Sequence, residues 1–440
     1  MGRRQRRREP ETARIQSATH DGRGIAAIEG KKVFVAGALP GEEVRYQRRK
    51  FRRNFDEAEL LEVIEASPER IDARCAVFGR CGGCSLQHIS EAQQREIKQQ
   101  ALQDNFERIA RVEPDEWLEP MSGPAWNYRR RARLAVKDVH GKGRVLVGFR
   151  ERHAPFITDM HRCEILAEPV DGMIDALSEL VGLLSIRARL PQVEVSVADN
   201  ATALVFRVLD PPTSEDESHL RAFGERHDVR IYLQPGGLDT VGLFYPDSAP
   251  EPLHYELPEF DVRIAFDAVG FVQVNRDINQ RMVHRAVELL DPGPGDRVLD
   301  LYCGIGNFSL PLARRAGDVL GVEGDAMLVK AAAANATLNG IANARFRQAD
   351  LSAIDGSENW LREVWDMLLL DPARSGAQEV AAHIERIDPR RIVYVSCHPG
   401  TLARDAGVLV NEKGYRCESA GIIDMFPHTA HVESIAIFSK

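Results

Sequence analysis

No apolar run in the sequence approaches the roughly 20 residues a helix needs to cross a bilayer. The opening MGRRQRRREPE lacks the apolar core of a secretory signal. Membrane and exported proteins are set aside, and a cytoplasmic location is expected. Cysteine is scarce and odd in number: Cys75, Cys81, Cys84, Cys163, Cys303, Cys397 and Cys417. Seven thiols in 440 residues argue against a disulfide framework and leave metal binding and catalysis as their uses. No repeat of solenoid type is present. The chain is too long for one ordinary core, so two or three domains are expected.

Apolar content of 44% and charged content of 28% are those of a soluble globular chain. The net charge of −9 conceals an uneven distribution: residues 1–53 hold 15 Lys and Arg against 6 Asp and Glu, so the remainder carries −18. A basic arm on an acidic body points to polyanion contact through one end. The block Arg3–Arg8 reads equally well as a solvated leader.

Residues 14–66 alternate short apolar runs with Gly and Pro turns, which predicts a small β-barrel. Arg45, Arg48, Arg49, Lys50, Arg52 and Arg53 make its later part basic, a common arrangement in RNA binding. A helix is predicted from Glu91 to Ala110. Residues 125–265 read as mostly strands, with helices near 170–185 and 215–226. The run Asn127 to Arg133 reads either as a phosphate contact or as the exposed face of an edge strand.

Beyond residue 275 the pattern changes. Asn275 caps a predicted helix whose apolar positions Ile278, Met282, Val283, Ala286, Val287 and Leu290 recur with helical period. Apolar strands then alternate with helical stretches: RVLDL, DVLGVE, ARFRQAD, DMLLLDP, RIVYVSC and SIAIFS. That rhythm predicts a doubly wound α/β sheet with strands buried on both faces.

Gly304-Ile305-Gly306 follows the first of these strands, where glycines let backbone approach a bound ligand closely. Glu323 ends the next strand, where an acidic residue meets ribose hydroxyls, and Asp350 ends the third. Ser309 stands where a dinucleotide fingerprint has its third glycine. Asp300 suits a cationic sulfonium better than a pyrophosphate, so S-adenosylmethionine is the expected ligand.

Asp371 ends the fourth strand and Cys397 the fifth, on the same rim; Glu433 precedes the last. Uracil C5 is too weak a nucleophile to take a methyl group unaided. A thiolate adding at C6 concentrates negative charge at C5, and a base must later remove the C5 proton. Cys397, Glu433 and the crevice match those needs. A free thiol has a pKa near roughly 8.5, so a neighbouring cation, His398 or Arg374, is required. Cys303 and Cys417 read as packing residues. Cys75-x5-Cys81-Gly82-Gly83-Cys84, with Cys163 as a fourth thiol, allows structural zinc or an iron–sulfur cluster. The glycines favour the cluster, because they let backbone pass close to it.

These residues resemble the RNA uracil-5-methyltransferase family over nearly the whole chain, and most closely its 23S ribosomal RNA branch with an N-terminal TRAM barrel. DGRGIA, PGE and SPERI resemble that barrel. The resemblance implies a class I, Rossmann-like α/β methyltransferase domain at 266–440 and a central, mostly β domain at 69–265. Ahead of them it implies a TRAM barrel at 14–68 and a basic leader at 1–13. It implies a [4Fe-4S] cluster on Cys75, Cys81, Cys84 and Cys163. S-adenosylmethionine contacts are implied from Gln273, on a cofactor-contact strand, and from Tyr302, Asn307, Glu323, Asp350 and Asp371. Cys397 falls on the nucleophile and Glu433 on the base. The implied partner is 23S ribosomal RNA with a flipped uracil, bound by a monomer without DNA or membrane. His398 stands where Asn is usual, and Ala373 where a second Pro is frequent. Competing readings are the same chemistry on another ribosomal or transfer RNA uracil, a cytosine substrate, and a non-catalytic iron–sulfur RNA-binding protein.

Overall fold

A computed structural model describes residues 9–19, 21–354 and 356–440. The arginine block Arg3–Arg8 lies outside the described residues. Contacts divide the chain into two units. The first comprises Met1–Lys98, Arg150–Phe156 and Phe426–His431. The second comprises Gln99–Phe149, Ile157–Met425 and Val432–Lys440.

In the first unit, six strands form one sheet: β1 (Glu11–Arg14), β2 (Ser17–Ala18), β3 (Arg23–Ile28), β4 (Lys31–Ala36), β5 (Glu43–Phe51) and β6 (Phe55–Glu65). Their order is β1-β5-β6-β4-β3-β2. The two edge strands are separated in sequence only by Ile15 and Gln16, so the edges meet and the sheet curls into the expected barrel. Ile15, Ala26, Val33, Val35, Val44 and Tyr46 fill its interior. The basic run of β5 is not an open cationic face. Arg45 pairs with Glu62, Arg49 with Glu59 and Lys50 with Glu57 across the β5–β6 ladder, and Arg48 is buried between Glu11 and Asp56. Cross-strand pairs of this kind stabilise the sheet and offset the charge of these four residues, while Arg52 and Arg53 stay exposed.

The predicted helix at 91–110 is present with a change of winding. Regular α1 (Glu91–Asn105) gives way to a π turn at Phe106–Ala110, closed by Arg111 in the left-handed region with φ 54°. A two-residue strand, β7 (Glu116–Trp117), follows.

The second unit carries two large sheets. One contains β8 (Arg131–Val139), β9 (Arg144–Gly148), β10 (Gln192–Val197), β11 (Thr202–Arg207), β12 (Val229–Gln234) and β13 (Gly242–Tyr245), flanked by α2 (Ile174–Leu183) and α3 (Ser214–His227). Its order is β13-β12-β11-β10-β8-β9, which places β8 inside the sheet. The partner strand β9 covers only Ala135–Val139 of β8, so Arg131–Leu134 pair with β10 alone. Arg131 and Arg133 both pair with Glu194, and Arg130 pairs with Asp199, so the charges of this stretch are compensated by acids. A hairpin, β14 (Leu253–Leu257) and β15 (Val262–Phe266), leads to α4 (Arg276–Leu290). Asn275 caps α4 through Oδ1, which accepts the Ile278 N–H at 3.3 Å, and the six apolar positions named for this helix are buried.

The other sheet begins with β16 (Arg297–Leu301), α5 (Ser309–Ala313), β17 (Asp318–Glu323), α6 (Ala326–Leu338), β18 (Ala344–Gln348) and β19 (Met367–Leu370). It continues through α7 (Gln378–Ala382), α8 (Ile384–Ile387), β20 (Arg391–Ser396), α9 (Pro399–Asn411), β21 (Arg416–Ile423) and β22 (Glu433–Ser439). The order is β18-β17-β16-β19-β20-β22-β21-β7. The first five strands run parallel, and β22 is inserted antiparallel between β20 and β21. The six strands expected from apolar runs are present; β21 and β7 were not foreseen. Residues inside β16, β17, β19 and β20 are almost wholly covered, as a sheet packed on both faces requires. No helix among the described residues is long and apolar enough to cross a membrane.

Candidate functional site

The carboxyl ends of β16, β17, β19 and β20 share one rim, the place where open α/β sheets bind ligands. After β16 the chain makes a tight turn: Tyr302 has φ 66°, Gly304 φ 54° and Gly306 φ 97°. Glu323 fastens this turn. One carboxylate oxygen accepts the Gly304 N–H at 3.1 Å; the other accepts those of Gly324 at 2.7 Å and Asp325 at 3.1 Å. Asn307 is held from outside the loop. Its Oδ1 accepts the Tyr255 hydroxyl at 2.9 Å and the Asn279 amide at 3.1 Å, and its Nδ2 donates to Asn279 at 2.9 Å.

Asp300 lies wholly buried beneath the loop. Ser309 donates its hydroxyl to one carboxylate oxygen, and the other has no hydrogen-bond partner. Burial, then the nearby Asp371 and Glu323, push Asp300 up to about 8. Ser309 in place of a glycine is thus explained: it is the partner of a buried acid. Cys303 is packed beside Gly321, where an added Cβ would lie 2.9 Å from its sulfur. Cys417 is likewise buried, so both are packing residues.

Burial, then Glu379, Asp405, Asp350 and Glu323, push the Tyr302 phenol well above its ordinary range, which groups those side chains around it. Asp350 itself is exposed, two residues beyond β18, and its carboxylate accepts the N–H of Ser352 at 2.9 Å and its hydroxyl at 2.6 Å. Gln273 stands in an irregular stretch leading into α4, not in the strand expected from the resemblance. It lines a narrow cleft with Arg130, Tyr255, Arg276, Asn279 and Gln280. Tyr255 and Asn279 were missed from the sequence, because no spacing rule links them to the glycine loop.

At the other end of the rim, Ser396 pairs with Ser434 in the β20–β22 register. Continuing that antiparallel register by one residue sets Cys397 across from Glu433, on the same face of the sheet. Burial, then Glu433 and Asp371, push the half-buried Cys397 thiol up to about 11, with Arg374 opposing. Burial and Asp371 push Glu433 up to about 8, again opposed by Arg374, and burial pushes Asp371 up to about 7. The Nδ1 of His398 accepts the Thr401 N–H at 3.2 Å and caps α9, while Arg374 is the cation whose field lowers both Cys397 and Glu433. The amino end of α9 adds a positive dipole two residues beyond Cys397.

Cys75, Cys81 and Cys84 lie in the first unit and Cys163 in the second. The loop is closed by N–H bonds from Phe78 to Cys75 O at 3.0 Å and from Cys81 to Val77 O at 2.9 Å. The Gly83 N–H points at Cys81 Sγ at 3.4 Å. Arg152 donates to Cys84 O at 2.9 Å and lies in the field of both Cys81 and Cys84. A Cβ at Gly82 would come within 3.0 Å of Arg150 O, so backbone runs close alongside. An N–H aimed at sulfur and a cation beside two thiols favour the thiolate form that metal ligation needs. Among the described residues no three His, Cys, Asp or Glu side chains converge to hold a metal ion, so neither a zinc site nor the ligand set of a cluster is formed here.

Residues 251–440 match the family model described as tRNA (Uracil-5-)-methyltransferase. Over the full length of both chains the protein is 49% identical to a Methylococcus capsulatus protein named 23S rRNA (uracil(1939)-C(5))-methyltransferase RlmD. A Stenotrophomonas maltophilia protein of the same name is 48% identical, with 98% of each chain covered. The crystal structure of Pyrococcus abyssi tRNA (uracil-54, C5)-methyltransferase in complex with S-adenosyl-L-homocysteine superposes with a TM-score of 0.76. At 23% identity, covering 97% of this chain and all of that one, it shows a common fold. Full-length identity of this order, on a chain with this rim, means that the protein belongs to the RNA uracil-5-methyltransferase family.

Proposed function

We propose that the protein transfers a methyl group from S-adenosylmethionine to C5 of a uracil in 23S ribosomal RNA, the uracil-1939 site named for its relatives. The observation that supports the reading is the antiparallel register, which pairs Ser396 with Ser434 and, continued by one residue, brings Cys397 opposite Glu433.

S-adenosylmethionine, when bound, supplies a methyl group on a positively charged sulfur. Tyr302, Asn307, Glu323, Asp350, Asp371 and Gln273 line its crevice and orient it. The uncompensated charge of Asp300 and Asp371 suits a cationic ligand. Cys397 adds to C6 of the flipped uracil as thiolate, and C5 takes the methyl group. Glu433 then removes the C5 proton, the C5–C6 double bond re-forms and the C6–sulfur bond breaks. Burial and Asp371 raise the Glu433 carboxyl in the free site, which makes its carboxylate a stronger proton acceptor than an ordinary one.

Residues 14–68 are read as a TRAM barrel for RNA, 69–265 as the central domain and 266–440 as the methyltransferase. Cys75, Cys81 and Cys84, with Cys163 added by the resemblance, would hold a [4Fe-4S] cluster of structural role. Anaerobically purified protein should be brown and contain iron and labile sulfide; colourless protein without iron would reject the cluster.

Incubation with 23S ribosomal RNA and labelled S-adenosylmethionine should place label on uracil C5, and Glu433→Gln should accumulate a covalent RNA adduct through Cys397. Unlabelled uracil would overturn the assignment. The family model named for transfer RNA favours a second reading, the same chemistry on a tRNA uracil; mapping the labelled nucleotide separates the two.

A further inference from the structure

The loop Asp371–Ala377, which carries Arg374, is gripped along its length by the first two turns of α9. The Thr401 hydroxyl donates to Arg374 O at 3.3 Å, and Arg404 donates through Nη2 to Ser375 O at 2.9 Å. Gly376 has φ +79°, and a Cβ there would lie 2.6 Å from Arg404 Nη2 and 2.7 Å from Asp405 Oδ2. The loop and helix therefore meet at a distance that excludes any side chain. The Ala377 N–H donates to Asp405 Oδ2 at 2.8 Å.

Asp405 is the hub of this clamp, wholly buried. The same oxygen that holds Ala377 accepts the Tyr394 hydroxyl at 2.7 Å, while Oδ1 accepts Arg404 Nε at 2.8 Å. Tyr394 lies on β20, three residues before Cys397. One carboxylate thus ties the strand that leads to Cys397 to the loop that bears Arg374. A buried acid is costly unless its hydrogen bonds are satisfied, and here the satisfied bonds converge on that loop. Charged or titratable groups facing Cys397 come from three elements: Glu433 from β22, Asp371 and Arg374 from the loop, and His398 from the cap of α9.

We propose that Asp405 is a positioning residue that, by clamping the Asp371–Ala377 loop to α9 and β20, holds the Arg374 guanidinium in register with Cys397 and Glu433. It rests on the methyltransferase reading for its purpose but not for its test. Each fixed interaction lies among protein atoms, so the consequence is readable without RNA. Loss of the clamp should release Arg374 and leave Cys397 less ionised at a given pH.

The experiment follows iodoacetamide alkylation of the Cys397 peptide by mass spectrometry on the full chain, from pH 7.5 to 9.5. Arg374→Gln should lower the rate at pH 8 by roughly three- to tenfold, in proportion to thiolate. Asp405→Asn should lower it in the same sense, and in the Arg374→Gln background should add nothing. Should Asp405→Asn fail to fold, Tyr394→Phe loosens the same clamp more gently and should shift the profile the same way. An undiminished Asp405→Asn effect in the Arg374→Gln background would overturn the proposal. So would folded clamp variants that alkylate like the parent chain. If the profiles behave as stated but no uracil is methylated, it is the reaction assignment that fails, and the clamp stands.

Discussion

In the barrel, Glu42 and Asp56 are as thoroughly covered as Asp300 and Glu433 are at the sheet rim, with exposures of 0%, 1%, 0% and 7%. Their surroundings differ in sign. Glu42 receives Arg70 and the N–H groups of Leu39 and Ser67; Asp56 receives Lys31 and Arg48. Those bonds hold both carboxyls below the ordinary carboxylate range. At the rim, Ser309 bonds Asp300 and Arg374 acts on Glu433, yet burial pushes Asp300, Asp371 and Glu433 all well upward. Compensated burial serves the fold. Uncompensated burial marks a place where a ligand brings the missing charge.

The comparison breaks most visibly at the proposed nucleophile. Cys397→Ala should cut methyl transfer by roughly 10⁴-fold or more with an unchanged melting curve; a coincident loss of stability would make this a structural thiol. In the barrel the reverse holds. Glu42→Gln strands Arg70 in a covered site and should lower stability by about 3 kcal/mol, measured by denaturant unfolding.

Asp371→Asn removes a charge the free protein tolerates badly. It should raise stability at pH 8 by roughly 1–2 kcal/mol while weakening transfer, and a destabilised variant would show that the charge is compensated after all. The pH dependence sharpens the contrast. Glu42 and Asp56, lowered from 4.5 and 3.8, contribute stability above those values that is lost as pH falls through their folded pKa. Asp371 and Glu433, raised to about 7 and about 8, keep protons that the unfolded chain releases near 4, so stability falls as pH rises from about 4.5 to 8. Melting curves should therefore decline on both sides, and Asp371→Asn with Glu433→Gln should flatten only the neutral side. Smallest of all, Arg45→Ala breaks an exposed pair with Glu62 and should change stability by no more than about 0.5 kcal/mol.

Much of the rim was legible in the sequence, since parallel strands buried on both faces announce themselves as unbroken apolar runs and a ligand site lies where they stop. The strand at Arg416–Ile423 was not, because RCESAGII mixes charge and small residues and is held by pairing with β22 rather than by its own pattern. Nor were Tyr255, Asn279 and Asp405, whose partners are 11 to 52 residues away in sequence and meet only in three dimensions. The charge of the barrel misled for the opposite reason. Arg48 and Arg49 are visible in any count, while the acids of β6 that answer them become neighbours only once the register is known.

The antiparallel insertion of β22 has a consequence for how such a chain can change over time. The spacing between thiol and carboxylate is set by a single rung of the β20–β22 ladder, not by the excursion through α9 and β21 that separates them in sequence. Residues can be gained or lost in the turns of that excursion, at Glu412–Tyr415 for instance, while the two reacting groups keep their separation. A shift of β22 by one residue against β20, in contrast, would turn Glu433 to the other face of the sheet and leave the thiol without its counterpart.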